Sequence, residues 1–134
     1  MARQFPVSIG AAPKAGQIFW CELHPEDVVH LPEFWKKRPV VVVSRHNRLR
    51  GKIIVLPIST SATNAENPQA MAVSEGLAAK LDVARAWIVC DHPMTVATSR
   101  LSYMAAKPVK MNAGELRETL ARCHSAIATP NTGD

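Results

Sequence analysis

Arg38-Pro39-Val40-Val41-Val42-Val43-Ser44 and Ile53-Ile54-Val55-Leu56-Pro57-Ile58-Ser59-Thr60 are two apolar runs joined by the basic turn Arg45-His46-Asn47-Arg48-Leu49-Arg50-Gly51-Lys52. β-Branched side chains suit a pleated, half-buried surface, so the two runs read as a buried hairpin. Its turn is too long for a two-residue connection, and Gly51 is the position expected to take a positive φ. From Phe34 to Ala65 there is no Asp or Glu, while Lys36, Lys37, Arg38, Arg45, Arg48, Arg50 and Lys52 supply seven cations. The chain carries only +5 in all, so everything outside this window sums to −2 and the basicity is concentrated here. A cationic rim without carboxylates repels itself, and an anionic partner relieves that repulsion; a polyphosphate is the natural candidate.

Outward from the hairpin the chain reads as one domain, since 134 residues are enough for a single core and short for two. Residues 1–15 read as a flexible arm, 16–128 as the folded domain and 129–134 as a flexible tail. Gln17 to Leu23 forms the first strand, and His24-Pro25 stops it. The loop to about Lys37 carries Phe34 and Trp35, placed to pin it to the domain or to stack on a ligand. A polar loop, Ser61 to Pro68, precedes a short strand near Gln69 to Ser74. Gly76 to Arg85 is open between a helical turn and a loop. Ala86 to Asp91 is an apolar strand ending in a carboxylate, and Met94 to Val96 and Arg100 to Met104 extend the sheet. Asn112 and Glu115 have capping-box spacing ahead of an apolar stripe of Leu116, Leu120, Cys123 and Ile127, which marks a terminal helix. No helix alternates with each strand, so the fold class is mainly β (α+β), a small, strongly bent barrel closed by a C-terminal α-helix.

Cys21, Cys90 and Cys123 are odd in number and lack paired spacing, which points to a reducing compartment and away from a disulfide framework. Cys21 and His24 with Cys123 and His124 are conceivable zinc ligands, but strand and helix cysteines are more commonly small buried hydrophobes, so no metal or other cofactor is expected. The chain shows no signal-peptide or membrane-spanning stretch, and a cytoplasmic location with no membrane partner is the expectation.

Gly16-Gln17-Ile18-Phe19-Trp20, Arg38-Pro39-Val40-Val41-Val42-Val43-Ser44, Leu56-Pro57-Ile58-Ser59-Thr60 and Val89-Cys90-Asp91-His92-Pro93 follow one another in the order seen in MazF/PemK toxins of type II toxin-antitoxin systems. The chain resembles that family from roughly Gly16 to Ile127. The resemblance implies an SH3-like barrel shared with the CcdB gyrase poisons, a homodimer, and a metal-independent endoribonuclease that cuts single-stranded RNA. It also implies a cognate antitoxin whose disordered tail covers the RNA groove, and operator DNA bound together with that antitoxin.

Metal-free RNA cleavage needs a base for the 2′-hydroxyl, an acid for the leaving 5′-oxygen and cationic donors for the phosphorane. Arg38 is the candidate phosphate clamp, because guanidinium offers a rigid donor fork and Pro39 fixes the backbone that aims it; it matches the family's Arg-Pro arginine. Ser59 and Thr60 end a strand with hydroxyls able to donate to phosphate oxygens, Ser59 standing where the family usually has threonine. Asp91, at the end of an apolar strand, is expected to be partly desolvated and suited to proton transfer. It matches an aspartate implicated in acid-base chemistry in relatives that have arginine two places earlier, where this chain has Val89. His30 lies in the loop before Arg38 and can serve either proton transfer, with His46 and His92 as rivals. Lys36, Lys37, Arg45, His46, Arg48, Arg50 and Lys52 are expected to track the RNA backbone. Two other readings stay open: a CcdB-like poison that binds a protein target such as gyrase, and a non-catalytic nucleic-acid-binding module.

Overall fold

The computed structural model describes residues 3–130; Met1, Ala2 and residues 131–134, which include the start of the expected arm and most of the expected tail, lie outside the described residues. Among the described residues eight strands form one sheet in which every pairing is antiparallel: β1 (Gln17–Glu22), β2 (Lys37–Val42), β3 (Lys52–Ser59), β4 (Ala70–Ala72), β5 (Trp87–Val89), β6 (Met94–Ala97), β7 (Leu101–Ser102) and β8 (Val109–Lys110). The order is β4-β5-β3-β2-β1-β7, with β6 also on β3 and β8 also on β1. Among the described residues two α-helices, α1 (Glu75–Lys80) and α2 (Ala113–Ser125), complete a small, mainly β α+β fold.

β1 and β3 each change partners along one edge. β3 pairs with β6 from Lys52 to Val55 and with β5 at Ile58 and Ser59, while β1 pairs with β8 at Gln17 and Ile18 and with β7 at Trp20 and Cys21. These switches bend the sheet so that it encloses a core on each face. On one side Ile18, Val41, Leu56 and Ile58 pack with Leu77, Leu81 and Cys123 from the helical side. On the other, Phe19, Val40, Val42, Ile53 and Val55 pack with Ile9, Val96 and Leu101. The valine run is unbroken because successive side chains of a strand point to opposite faces and both faces of β2 are buried.

The terminal helix begins as its sequence signature requires. Asn112 Oδ1 accepts from Glu115 N at 2.8 Å, and Glu115 Oε1 accepts from Asn112 N at 3.3 Å. Its buried stripe differs from the one the periodicity gives. Thr119 and Cys123 are the buried helical residues, and Ile127 is exposed beyond the last turn. Thr119 tolerates burial because its hydroxyl donates to the Glu115 carbonyl at 2.8 Å.

Other local differences have equally local causes. The ambiguous segment after Ser74 is helical: the Ser74 hydroxyl caps Leu77 N, and Leu77 and Ala78 are drawn into the core. In the basic turn it is His46, at φ 57°, and not Gly51 that takes the left-handed conformation. Residues 7–14 are packed against the sheet: Ile9 is buried, Gly10 N donates to Tyr103 Oη at 2.9 Å, and Asn47 Nδ2 donates to the Pro13 carbonyl at 3.0 Å. All three cysteines are buried thiols, with burial pushing Cys21 and Cys90 up to about 11 and Cys123 upward as well.

Gly16 joins three elements. Its N–H donates to the Val42 carbonyl and its carbonyl accepts from Met111 N, and it does so at φ 91°. A Cβ there meets Leu116 Cδ2 at 3.3 Å. Gly16→Ala is expected to cost about 1–2 kcal/mol from the left-handed conformation alone, which lowers Tm by several degrees; an unchanged Tm in thermal denaturation contradicts this reading of the junction.

Candidate active site

Antiparallel pairing of Val40 with Pro57 and of Val42 with Val55 means that the start of β2 lies beside the end of β3. Extending that register places Arg38 opposite Ser59. The β5–β6 turn, carrying Asp91 and His92, stands beside the middle of β3, where that strand passes from β6 at Val55 to β5 at Ile58, and the 3-10 turn Ala62–Glu66 follows on the end of β3. Between them is an open cleft of about 590 Å³ whose lining includes Lys36, Arg38, Ser59, Thr60, Asn64, Asp91 and His92.

Arg38 is half-buried and held from three directions. Its Nε donates to the Trp35 carbonyl at 2.8 Å, and the guanidinium carbon lies 4.9 Å from the Phe34 ring centre and 5.3 Å from that of Trp35. Each partly desolvated ring contact is worth about 0.5–2 kcal/mol and fixes the plane of the fork. Burial draws the Arg38 pKa below its ordinary value, yet a guanidinium remains protonated in proteins. The loop reaches this arrangement through Lys36, which adopts φ 60° while its N–H donates to His24 O and its carbonyl accepts from Leu23 N. A left-handed lysine costs about 1–2 kcal/mol, set against those two ladder bonds and the stacked rings beside it.

Ser59 is only 5% exposed and forms the floor of the cleft. Its Oγ accepts from Asn64 Nδ2 at 2.9 Å and from Ser61 N at 3.2 Å. Thr60 is exposed at the rim. Asp91 is also exposed, because the chain leaves the sheet at Cys90; the desolvation expected from its place behind an apolar strand is absent, and Asn67 Nδ2 reaches its Oδ1 at 3.4 Å. His92 packs edge-on against Phe34, with ring centres 4.8 Å apart. Burial pulls the His92 pKa below its ordinary value, with Asp91 and Glu33 partly opposing the shift.

The other candidates are distributed differently. His30 lines a neighbouring cleft of about 580 Å³ with His24 and Arg100, sharing only the Glu33, Phe34 and His92 partition with the Arg38 cleft. His30 N donates to Glu33 Oε1 at 2.7 Å. Lys36 reaches the Arg38 cleft, while Lys37 sits 5.5 Å from the Trp20 ring centre. Arg45, His46, Arg48, Arg50 and Lys52 lie at the opposite end of the hairpin, roughly 20 Å from Arg38 at the rise of an extended strand. Val89 lines the cleft without contributing charge. Asn64 and Asn67, both in the polar loop after β3, contact Ser59 and Asp91 and are site residues that the sequence alone does not single out. Their only sequence signal was the clustering of Ser, Thr and Asn after a strand that ends in a hydroxyl.

Among the described residues no group of three or more His, Cys, Asp or Glu stands together as a metal site. Cys21 lies in β1 and Cys123 in α2, and both are buried.

Residues 14–127 match the family of PemK-like, MazF-like toxins of type II toxin-antitoxin systems. The chain belongs to this family. The match spans the sheet, the cleft and α2, so a PemK-like toxin whose class pairs with an antitoxin is established for the domain as a whole. No curated protein matches the chain in sequence. No helix among the described residues of this toxin is long and apolar enough to cross a membrane.

The depressed His92 pKa links the toxin's stability to pH. The folded state holds this imidazole neutral while the unfolded chain protonates near the ordinary histidine value. The stabilisation is therefore complete above about pH 6.5 and is lost as pH falls through the folded pKa. Denaturant titrations at pH 7.5 and 5.5 are expected to show a smaller loss of stability for His92→Gln than for the parent; equal losses contradict the assignment.

Proposed function

We propose that this PemK-like toxin is an endoribonuclease that cleaves single-stranded RNA by attack of a 2′-hydroxyl on the adjacent phosphate, without a metal, and so arrests translation and growth. The observation that carries the reading is the convergence of a stacked, half-buried arginine, a buried serine hydroxyl and an Asp-His pair in one open cleft. Arg38 clamps the non-bridging oxygens and balances the charge that grows in the phosphorane. Ser59 donates to a phosphate oxygen from the floor, and Thr60 does so from the rim. His92, held neutral at pH 7, takes the 2′-hydroxyl proton and, as imidazolium, returns it to the leaving 5′-oxygen, while the Asp91 carboxylate beside it orients the imidazole. His30 acts from the neighbouring cleft on the flanking nucleotide.

The same reading assigns the far turn a different task. Arg45, His46, Arg48, Arg50 and Lys52 hold the phosphodiester backbone beyond the scissile position, providing affinity and salt dependence without chemistry. The protein works as a homodimer in the cytoplasm, and its antitoxin silences it by covering the cleft. The toxin bound to that antitoxin also engages operator DNA.

The test is cleavage of a single-stranded RNA oligonucleotide in EDTA by the parent and by Arg38→Ala. The parent is expected to leave 2′,3′-cyclic phosphate and 5′-hydroxyl termini. Removing the clamp lowers kcat by about 10²- to 10³-fold, the scale for one preorganised donor, with the circular-dichroism spectrum preserved. Intact RNA across varied sequences, or 5′-phosphate termini, rejects the proposal.

A further inference from the structure

Asn64 has a side chain whose orientation the surrounding atoms fix. Its Nδ2 donates to the Ser61 carbonyl at 2.9 Å and to Ser59 Oγ at 2.9 Å. A carbonyl oxygen can only accept, so the amide nitrogen, and not its oxygen, faces both partners. Ser61 N then delivers a second hydrogen bond to Ser59 Oγ at 3.2 Å. A serine hydroxyl has two lone pairs and one proton. Both lone pairs of Ser59 are taken, and among the described residues no acceptor takes its proton.

Ser59 also lacks the methyl with which a threonine restrains χ1. The two N–H donors supply that restraint from outside, and they polarise the O–H bond they leave free. We propose that Asn64 is a positioning residue that converts Ser59 into a donor-only hydroxyl, aimed at an anionic oxygen in the Arg38 cleft. The ligand atom it fits is a non-bridging oxygen of a phosphodiester, which accepts and cannot donate. A group that must itself donate, such as a sugar hydroxyl offering its proton, finds no acceptor on Ser59. The serine therefore neither activates the 2′-hydroxyl nor attacks phosphorus. The inference rests on the ribonuclease reading of the cleft and adds to it a residue that acts only through another.

The experiment is a double-mutant cycle on kcat/KM for single-stranded RNA in EDTA, using Ser59→Ala, Asn64→Ala and both together, with Asn64→Asp as an isosteric fourth variant. Ser59→Ala is expected to lower kcat/KM by about 10²-fold, the scale of a lost oxyanion donor, and Asn64→Ala by about tenfold, since the hydroxyl survives with only the Ser61 N–H left to orient it. Asn64→Asp is expected to match Ser59→Ala, because its carboxylate accepts the serine proton. In the Ser59→Ala background, loss of Asn64 is expected to change kcat/KM by less than about twofold. Equal losses from Asn64→Ala in both backgrounds overturn the proposal, because a residue that merely shapes the 3-10 turn acts whether or not Ser59 is present. Full activity of Asn64→Asp overturns it as well. Titration of inorganic phosphate into the same proteins reads the coupling without cleavage. A parent that binds phosphate with the coupled pattern but cuts no RNA overturns the ribonuclease reading and upholds the positioning role; additive phosphate affinities overturn the positioning role.

Discussion

Burial of β2 on both faces is the constraint from which the rest of the structure follows. Val40, Val41 and Val42 are inaccessible to water, as are Val55 and Leu56 on the neighbouring strand. No charge is tolerable along that stretch without a partner. The cations of this region are therefore displaced to the two ends of the hairpin. Antiparallel pairing then does what no loop needs to do: it sets the first residues of β2 beside the last residues of β3, and so Arg38 beside Ser59. The cleft is a consequence of where two apolar strands stop.

At that end the environment changes from apolar to mixed within two residues. Arg38 is partly desolvated, and its stacking on Phe34 and Trp35 leaves the outer edge of the guanidinium as the face on offer to an anion. Charge interactions strengthen as water is excluded, so the same burial that penalises an unaccompanied cation increases its attraction for a phosphate. Phe34 has a second contact, with the His92 ring, and it separates the Arg38 cleft from its neighbour. One aromatic side chain thus touches both the Arg38 guanidinium and the His92 imidazole, and the loop that carries it is tied to β1 through Lys36.

Features set by neighbouring residues were legible in the sequence. The hairpin and the capping box at Asn112 depend on short-range patterns, and the structure has both; the apolar strand expected to run to Asp91 stops at Val89, because the chain turns out of the sheet at Cys90. Features that depend on folding the chain back on itself were not. Seven cations within one window look like a single patch, but the hairpin sends Arg38 and the Arg45–Lys52 turn to opposite ends. Asp91 was read as desolvated because an apolar strand precedes it, yet burial depends on where the chain turns out of the sheet. Asn64 reads as an ordinary turn residue until its contact with Ser59 is known. Thr119 is no member of the apolar stripe, yet it is buried in the helix, its hydroxyl satisfied by the Glu115 carbonyl of the preceding turn. Gly51 was given the left-handed conformation on propensity alone, whereas the turn places it on His46.

The central claim is that Arg38 acts through a planar fork fixed by two rings and a backbone carbonyl, and not simply as a positive charge. Turnover of single-stranded RNA by Arg38→Lys measures this most directly, because lysine keeps the charge and loses the plane, the stacking and the paired donors. The account predicts a kcat within about threefold of that of Arg38→Ala, since an ammonium cannot reproduce the bidentate geometry. A lysine variant that retains most of the parental turnover contradicts it.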